Sequence, residues 1–128
     1  MSENPAIHAA AVALLSSRVA YGLALLGAPA KVAGNRWLGS GARAPAAEVP
    51  LRALGAREVG LHGLALIVFL RGSDARPLLA VSIAGDIADT VATMAAREGL
   101  PDGSAAATAA VAGGSALLSA AVIALLGD

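Results

Sequence analysis

In SIAGDIADTVAT, Ser82 to Thr93, two aspartates stand three residues apart inside an otherwise apolar run that also carries a serine and two threonines. Placed on a helix at 100° per residue, Ser82, Asp86, Asp89, Thr90 and Thr93 fall within an arc of about 100°. Two carboxylates on one face repel each other, an arrangement that acid/base and proton-handling sites use. A second polar group opens REVGLHGLALIVFLRG, Arg57 to Gly72. Here Arg52, Gly55, Glu58, Val59 and His62 share a broad helical face, Glu58 and His62 being four residues apart, while Arg57 projects about 100° from Glu58. A third group is Arg18, with Ser17 and Tyr21 beside it.

These residues define the chemistry open to the chain. Asp86, Asp89, Glu58 and His62 are the candidate general acids and bases. Arg18, Arg57, Arg52, Tyr21, Thr90 and Thr93 are the candidates for holding a ligand or developing negative charge. Each also has a structural reading: Arg18 with one aspartate makes an ion pair that fixes helix register, Arg52 suits a membrane edge, and His62 suits a satisfied interior histidine.

The elements that must position them are four apolar segments. The first runs from about Ile7 to Gly27, where GAPA with Pro29 stops it. The stretch KVAGNRWLGSGARAPAAEVP is expected to be a long loop with one short turn of helix. The second segment follows Pro50 to about Arg71. The third starts near Pro77, well placed for a first helical turn, and lasts to about Glu98. The fourth runs from about Ala105 to Leu126, with Asp102 or Ser104 as N-cap. Each is about 20 residues long, the length that crosses a hydrocarbon core of about 30 Å. The expectation is a single all-α domain over residues 1–128, a four-transmembrane-helix bundle with a long first loop.

Composition agrees. The chain of 128 residues is 57% hydrophobic and 14% charged, with a mean hydropathy of +0.72, against about 45–50% apolar and about 25% charged for a soluble domain. Much of the apolar content is alanine, so a soluble Ala-rich bundle is the structural competitor. At the middle of a membrane span a lone charge costs about 2.5–3.5 kcal/mol. The buried candidates, however, are Arg18, Arg52 and Arg57 against Glu58, Asp86 and Asp89, a set that neutralises itself if the helices turn these groups toward one another. GLALLG, GAREVG and AGG supply small residues for close helix approach.

Other classes are disfavoured. Nine basic and nine acidic residues with no run of like charge give no nucleic-acid signal. The absence of cysteine removes disulfides, thiol catalysis and thiolate metal sites. His8 and His62 do not make a zinc site, and phosphate-binding loops, GxGxxG, nucleophile elbows and HExxH are missing. No cofactor is therefore expected. MSENPAIHAA has no basic region of the kind that begins a cleaved signal peptide. Lys31, Arg36, Arg43 and Arg97 on one side, against Arg71 and Arg76 on the other, place the first loop in the cytoplasm and both termini outside. Trp37 is expected at the interface of that basic loop.

Through RALGARE at 52–58 and AGDIADT at 84–90, the chain resembles an uncharacterised family of small integral membrane proteins frequent in actinobacteria and also found in fungi. Arg18, then Arg52, Gly55, Arg57 and Glu58, then Asp86 and Asp89 carry the resemblance, which covers residues 18–126. It implies four helices in an outline broadly similar to the DoxX group, in a bacterial plasma membrane, and supplies no activity. The residues themselves suggest a lipophilic small molecule bound in a polar pocket, with redox-neutral conversion such as isomerisation, cyclisation or epoxide opening. Two alternatives stand beside it: a non-catalytic membrane subunit or scaffold whose charges only set helix register, and a proton or ion pathway, which in so short a chain requires a homo-oligomer.

Overall fold

The computed structural model describes residues 4–34 and 36–127. Three of the four long helices start where the chain supplies a proline in the first turn. Asn4 accepts a hydrogen bond from the Ala6 amide through its side chain (3.0 Å) and Pro5 opens α1, Pro5–Gly27. Helix α2 is the short Pro29–Gly34, and a 3₁₀ turn, Gly39–Arg43, follows it. Next come α3, Pro45–Leu70, α4, Arg76–Ala95, with Pro77 in its first turn, and α5, Ser104–Leu126. Four of these, α1, α3, α4 and α5, are long and apolar enough to cross a membrane.

The first connection is more ordered than a loop. It carries α2 and the 3₁₀ turn, and α3 begins five residues before Pro50. As the sixth residue of α3, Pro50 removes only the bond its amide would have made to the Ala46 carbonyl, so the helix runs through it. With 26 residues α3 is ~39 Å long, against about 30 Å of hydrocarbon. The start of α5 also differs from expectation: its N-cap is Gly103, at φ +83°, and neither Asp102 nor Ser104 caps it. The Ser104 hydroxyl donates instead to the Trp37 carbonyl, tying the first connection to the third. Gly39, at φ +60°, lies against Pro101, where a Cβ would come within 2.6 Å of the proline ring.

Helices α1 and α3 pack closely, as do α4 and α5, while the two pairs touch more sparsely. The α1–α3 approach centres on Gly22 and Gly55: a Cβ on Gly55 would stand 2.7 Å from the Gly22 carbonyl oxygen, and one on Gly22 would stand 2.8 Å from that of Gly55. GLALLG and GAREVG thus provide the close contact their small residues suggest. Gly113 and Gly114 of AGG have nothing near enough to play that part. The apolar core is divided. Leu15, Ala65, Phe69, Leu79 and Val122 fill one end, and Leu25, Ala33, Ala42 and Leu51 the other. Between these clusters lies a layer of buried polar residues. Glu58, His62, Ser82 and Asp86 are each no more than 3% exposed, while Val111 and Leu117 on α5 are 73% and 74% exposed. Charges inside and large aliphatic groups outside is the pattern of a bundle solvated by lipid.

Candidate functional site

Arg18 is the hub of the polar layer. It lies one turn before Gly22 on α1, and Glu58 lies one turn beyond Gly55 on α3, so the glycine crossing brings the two side chains level. The guanidinium donates from Nε to Glu58 Oε2 (2.8 Å) and from Nη2 to Glu58 Oε1 (3.1 Å). It also donates from Nη2 to Asp86 Oδ1 (2.8 Å) and from Nη1 to Asp86 Oδ2 (3.0 Å), with a further bond from Nη1 to the Ser115 hydroxyl. Two carboxylates thus take it in the paired geometry that guanidinium favours. Its five N–H donors reach three other helices, α3, α4 and α5.

His62 extends this layer along α3. Its Nδ1 lies 2.9 Å from the Glu58 carbonyl and 3.3 Å from Glu58 Oε2, and its Nε2 lies 2.7 Å from the Ser82 hydroxyl. Because a carbonyl only accepts, Nδ1 carries hydrogen, and in the neutral ring Nε2 accepts from Ser82. On the other side of Glu58, Arg57 reaches Asp89 at 3.5 Å and Glu58 at 4.0 Å. Among the described residues no buried side-chain nitrogen or oxygen lacks a partner.

The polar stripe of α4 faces inward as its periodicity suggests, but its members do different things. Asp86 is locked by Arg18. Asp89 is half-buried and, among the described residues, held only by Arg57. Thr90 donates to the Asp86 carbonyl one turn back (2.9 Å), and Thr93 accepts from Trp37 Nε1 (3.0 Å). The indole is therefore anchored to α4. Tyr21 is partly exposed on the α1 face, and its hydroxyl has no protein partner among the described residues.

Arg52 does not join the midplane set. It is exposed, pairs with Glu48 (Nη2 to Oε1, 2.9 Å), and donates from Nη1 to the Leu26 carbonyl at the end of α1. The expected balance of three against three becomes two arginines, Arg18 and Arg57, against three acids. The Glu48–Arg52 spacing of four is a helical pair signal, hidden from a reading that starts the helix after Pro50. Ser115 was missed because the fourth segment carries no charge. Its only signal is a hydroxyl near the centre of an apolar span.

A cavity of about 700 Å³ opens onto this layer. Its walls are mostly apolar and come from α1 and α5, including Leu14, Val111 and Leu118. Arg18, Glu58, Asp86 and Asp89 lie at its polar end, with Tyr21, Trp37 and a further cation, Arg36, also lining it. Val111 and Leu118 are also among the exposed large apolar residues. The mouth therefore lies on the face a lipid would cover. Comparison with known protein families, curated proteins and solved structures finds no match to this chain.

Proposed function

We propose that this membrane protein binds a lipophilic small molecule with a polar head, entering from the bilayer between α1 and α5, and converts it by redox-neutral acid/base chemistry. The observation that carries this reading is the apolar cavity whose polar end is formed by Arg18, Glu58, Asp86 and Asp89. Such a pocket, apolar with a few convergent polar groups, is the usual form of a small-molecule site. Asp89 is the carboxylate best placed to exchange a proton with the ligand. Its side chain is 30% exposed and held by one 3.5 Å contact, whereas the oxygens of Glu58 and Asp86 are engaged by Arg18. Arg18 supplies positive charge where negative charge develops on the ligand, and Tyr21 offers a hydroxyl that has no partner among the described residues. On Arg18, Arg57, Glu58, Asp86 and Asp89 we group the chain with the four-helix membrane proteins it resembles. By the excess of Lys31, Arg36, Arg43 and Arg97 we place the first connection in the cytoplasm of a bacterial cell and the termini outside.

One observation favours a second reading. Arg18 spends every donor on the protein itself, as a side chain would whose role is to hold four helices in register. In that case the chain is a non-catalytic membrane subunit. The discriminating experiment is mass spectrometry of lipophilic compounds co-extracted with detergent-purified wild type and with Asp89→Asn, both first shown to be folded. A compound retained by wild type and lost by the variant supports the binding site and identifies a substrate class for turnover assays. Equal retention, or none in either, leaves the structural network as the role of these charges.

A further inference from the structure

A second cleft, of about 400 Å³, lies where α1 ends and α3 begins. It is lined by Lys31, Arg43, Glu48 and Arg52 together with small residues of the first connection. The acid in it is already matched: Glu48 receives Nε and Nη2 of Arg52, each at 2.9 Å. The same guanidinium donates to the Leu26 carbonyl, so the Glu48–Arg52 pair forms a fixed wall. Lys31 and Arg43 are exposed, and among the described residues neither has an acidic partner. The cleft thus holds two uncompensated positive charges.

Its depth follows from helix lengths. Helix α1 has 23 residues and ends at Gly27, so it uses up ~34 Å, about one hydrocarbon thickness, before Lys31. Helix α3 has about six residues more than a span needs, and Glu48 lies among its first four. Lys31, Arg43 and Glu48 therefore stand at the level of lipid headgroups, not of hydrocarbon. Within one turn in sequence of Leu26 and Glu48, the same helices carry Leu23 and Val49, which are 54% and 73% exposed and available to acyl chains.

We propose that this cleft is a binding site for the phosphate of an anionic phospholipid headgroup, with Lys31 and Arg43 as its charged ligands and the Glu48–Arg52 pair as its wall. It is separate from the central cavity and does not depend on what that cavity binds. Basic clusters at the ends of membrane helices attract anionic lipid with a strength equivalent to about five-fold in affinity per lysine or arginine.

The experiment is native mass spectrometry of the full chain, released from neutral detergent, with phosphatidylglycerol and phosphatidylcholine of identical acyl chains. Wild type is expected to retain phosphatidylglycerol preferentially, and Lys31→Gln/Arg43→Gln to bind it about 25-fold more weakly, with retention of phosphatidylcholine unchanged. Arg97→Gln, which removes a cation from the same side but outside the cleft, is expected to keep the preference. Equal retention of the two lipids by wild type overturns the proposal. So does a preference that survives in the double variant, or one that Arg97→Gln lowers as much. Inorganic phosphate is added in a parallel arm. If it displaces phosphatidylglycerol at millimolar concentration, the site belongs to a free phosphate and the lipid assignment fails; no displacement supports it.

Discussion

Replacing Arg18 by glutamine removes the one cation that Glu58 and Asp86 share and leaves both carboxylates, each 3% exposed, without that common partner. Removing one member of a buried ion pair costs about 3–5 kcal/mol, because the remaining charge stays desolvated. The neighbours of Arg18 offer little relief: Arg57 stands 4.0 Å from Glu58 and is shared with Asp89. Asp86→Asn is a much smaller perturbation, since Arg18 keeps both bonds to Glu58 and loses part of two charged hydrogen bonds, about 1–2 kcal/mol. In the double variant Arg18→Gln/Asp86→Asn only Glu58 remains as a buried carboxylate that has lost the Arg18 cation. Its stability is therefore expected to equal or exceed that of Arg18→Gln alone, a coupling of about 2 kcal/mol between two residues in contact. The assay is unfolding of the detergent-solubilised protein by added sodium dodecyl sulfate, followed by circular dichroism on all four proteins. If Arg18→Gln lies within about 1 kcal/mol of wild type, or the two substitutions add without coupling, the shared-arginine account is wrong.

The same unfolding assay checks the helix crossing. Gly55→Ala puts a methyl 2.7 Å from the Gly22 carbonyl and 2.9 Å from Leu25 Cβ and is expected to cost about 1–3 kcal/mol. Gly63→Ala on the same helix meets nothing within 4 Å and is expected to gain about 0.5–1 kcal/mol. In the α3–α4 turn, hydrogen bonds from the Arg76 side chain and amide hold the Asp74 carboxyl below its ordinary value of 3.8. A carboxyl lowered on folding contributes stability above its unfolded value and loses it as pH falls through the folded one. The Asp74 carboxyl carbon should accordingly titrate below 3.8 by NMR, and Arg76→Gln should move its midpoint upward. The chain has no cysteine, so single substitutions report topology cleanly. An impermeant maleimide should label Ser73→Cys in intact cells and Ser40→Cys only after permeabilisation, and the reverse pattern would invert the orientation.

What the linear chain determines here is what helical periodicity and punctuation can carry. Proline and glycine at 29, 72, 77 and 103 mark the breaks, segment length and apolar content set four crossings, and a 100° step aligns Ser82, Asp86 and Thr93 on one face and Glu58 with His62 on another. Those properties are local, because a helix presents the same face whatever it packs against. The assignment of partners is not local. Arg18 could have taken any of three acids. It takes Glu58 because Gly22 and Gly55 let α1 and α3 approach within backbone contact, and Asp86 because α4 sets that carboxylate on the adjacent edge of the same guanidinium, the two acids sharing Nη2. Arg52 leaves the set because α3 starts before Pro50, which puts Glu48 one turn away. Ser115 joins it because α5 happens to present a hydroxyl at the level of Arg18. Thr93 is withdrawn by an indole from a connection more than fifty residues earlier in the chain. Rotation, depth and register between helices decide these pairings, and they follow from packing contacts that no single segment contains.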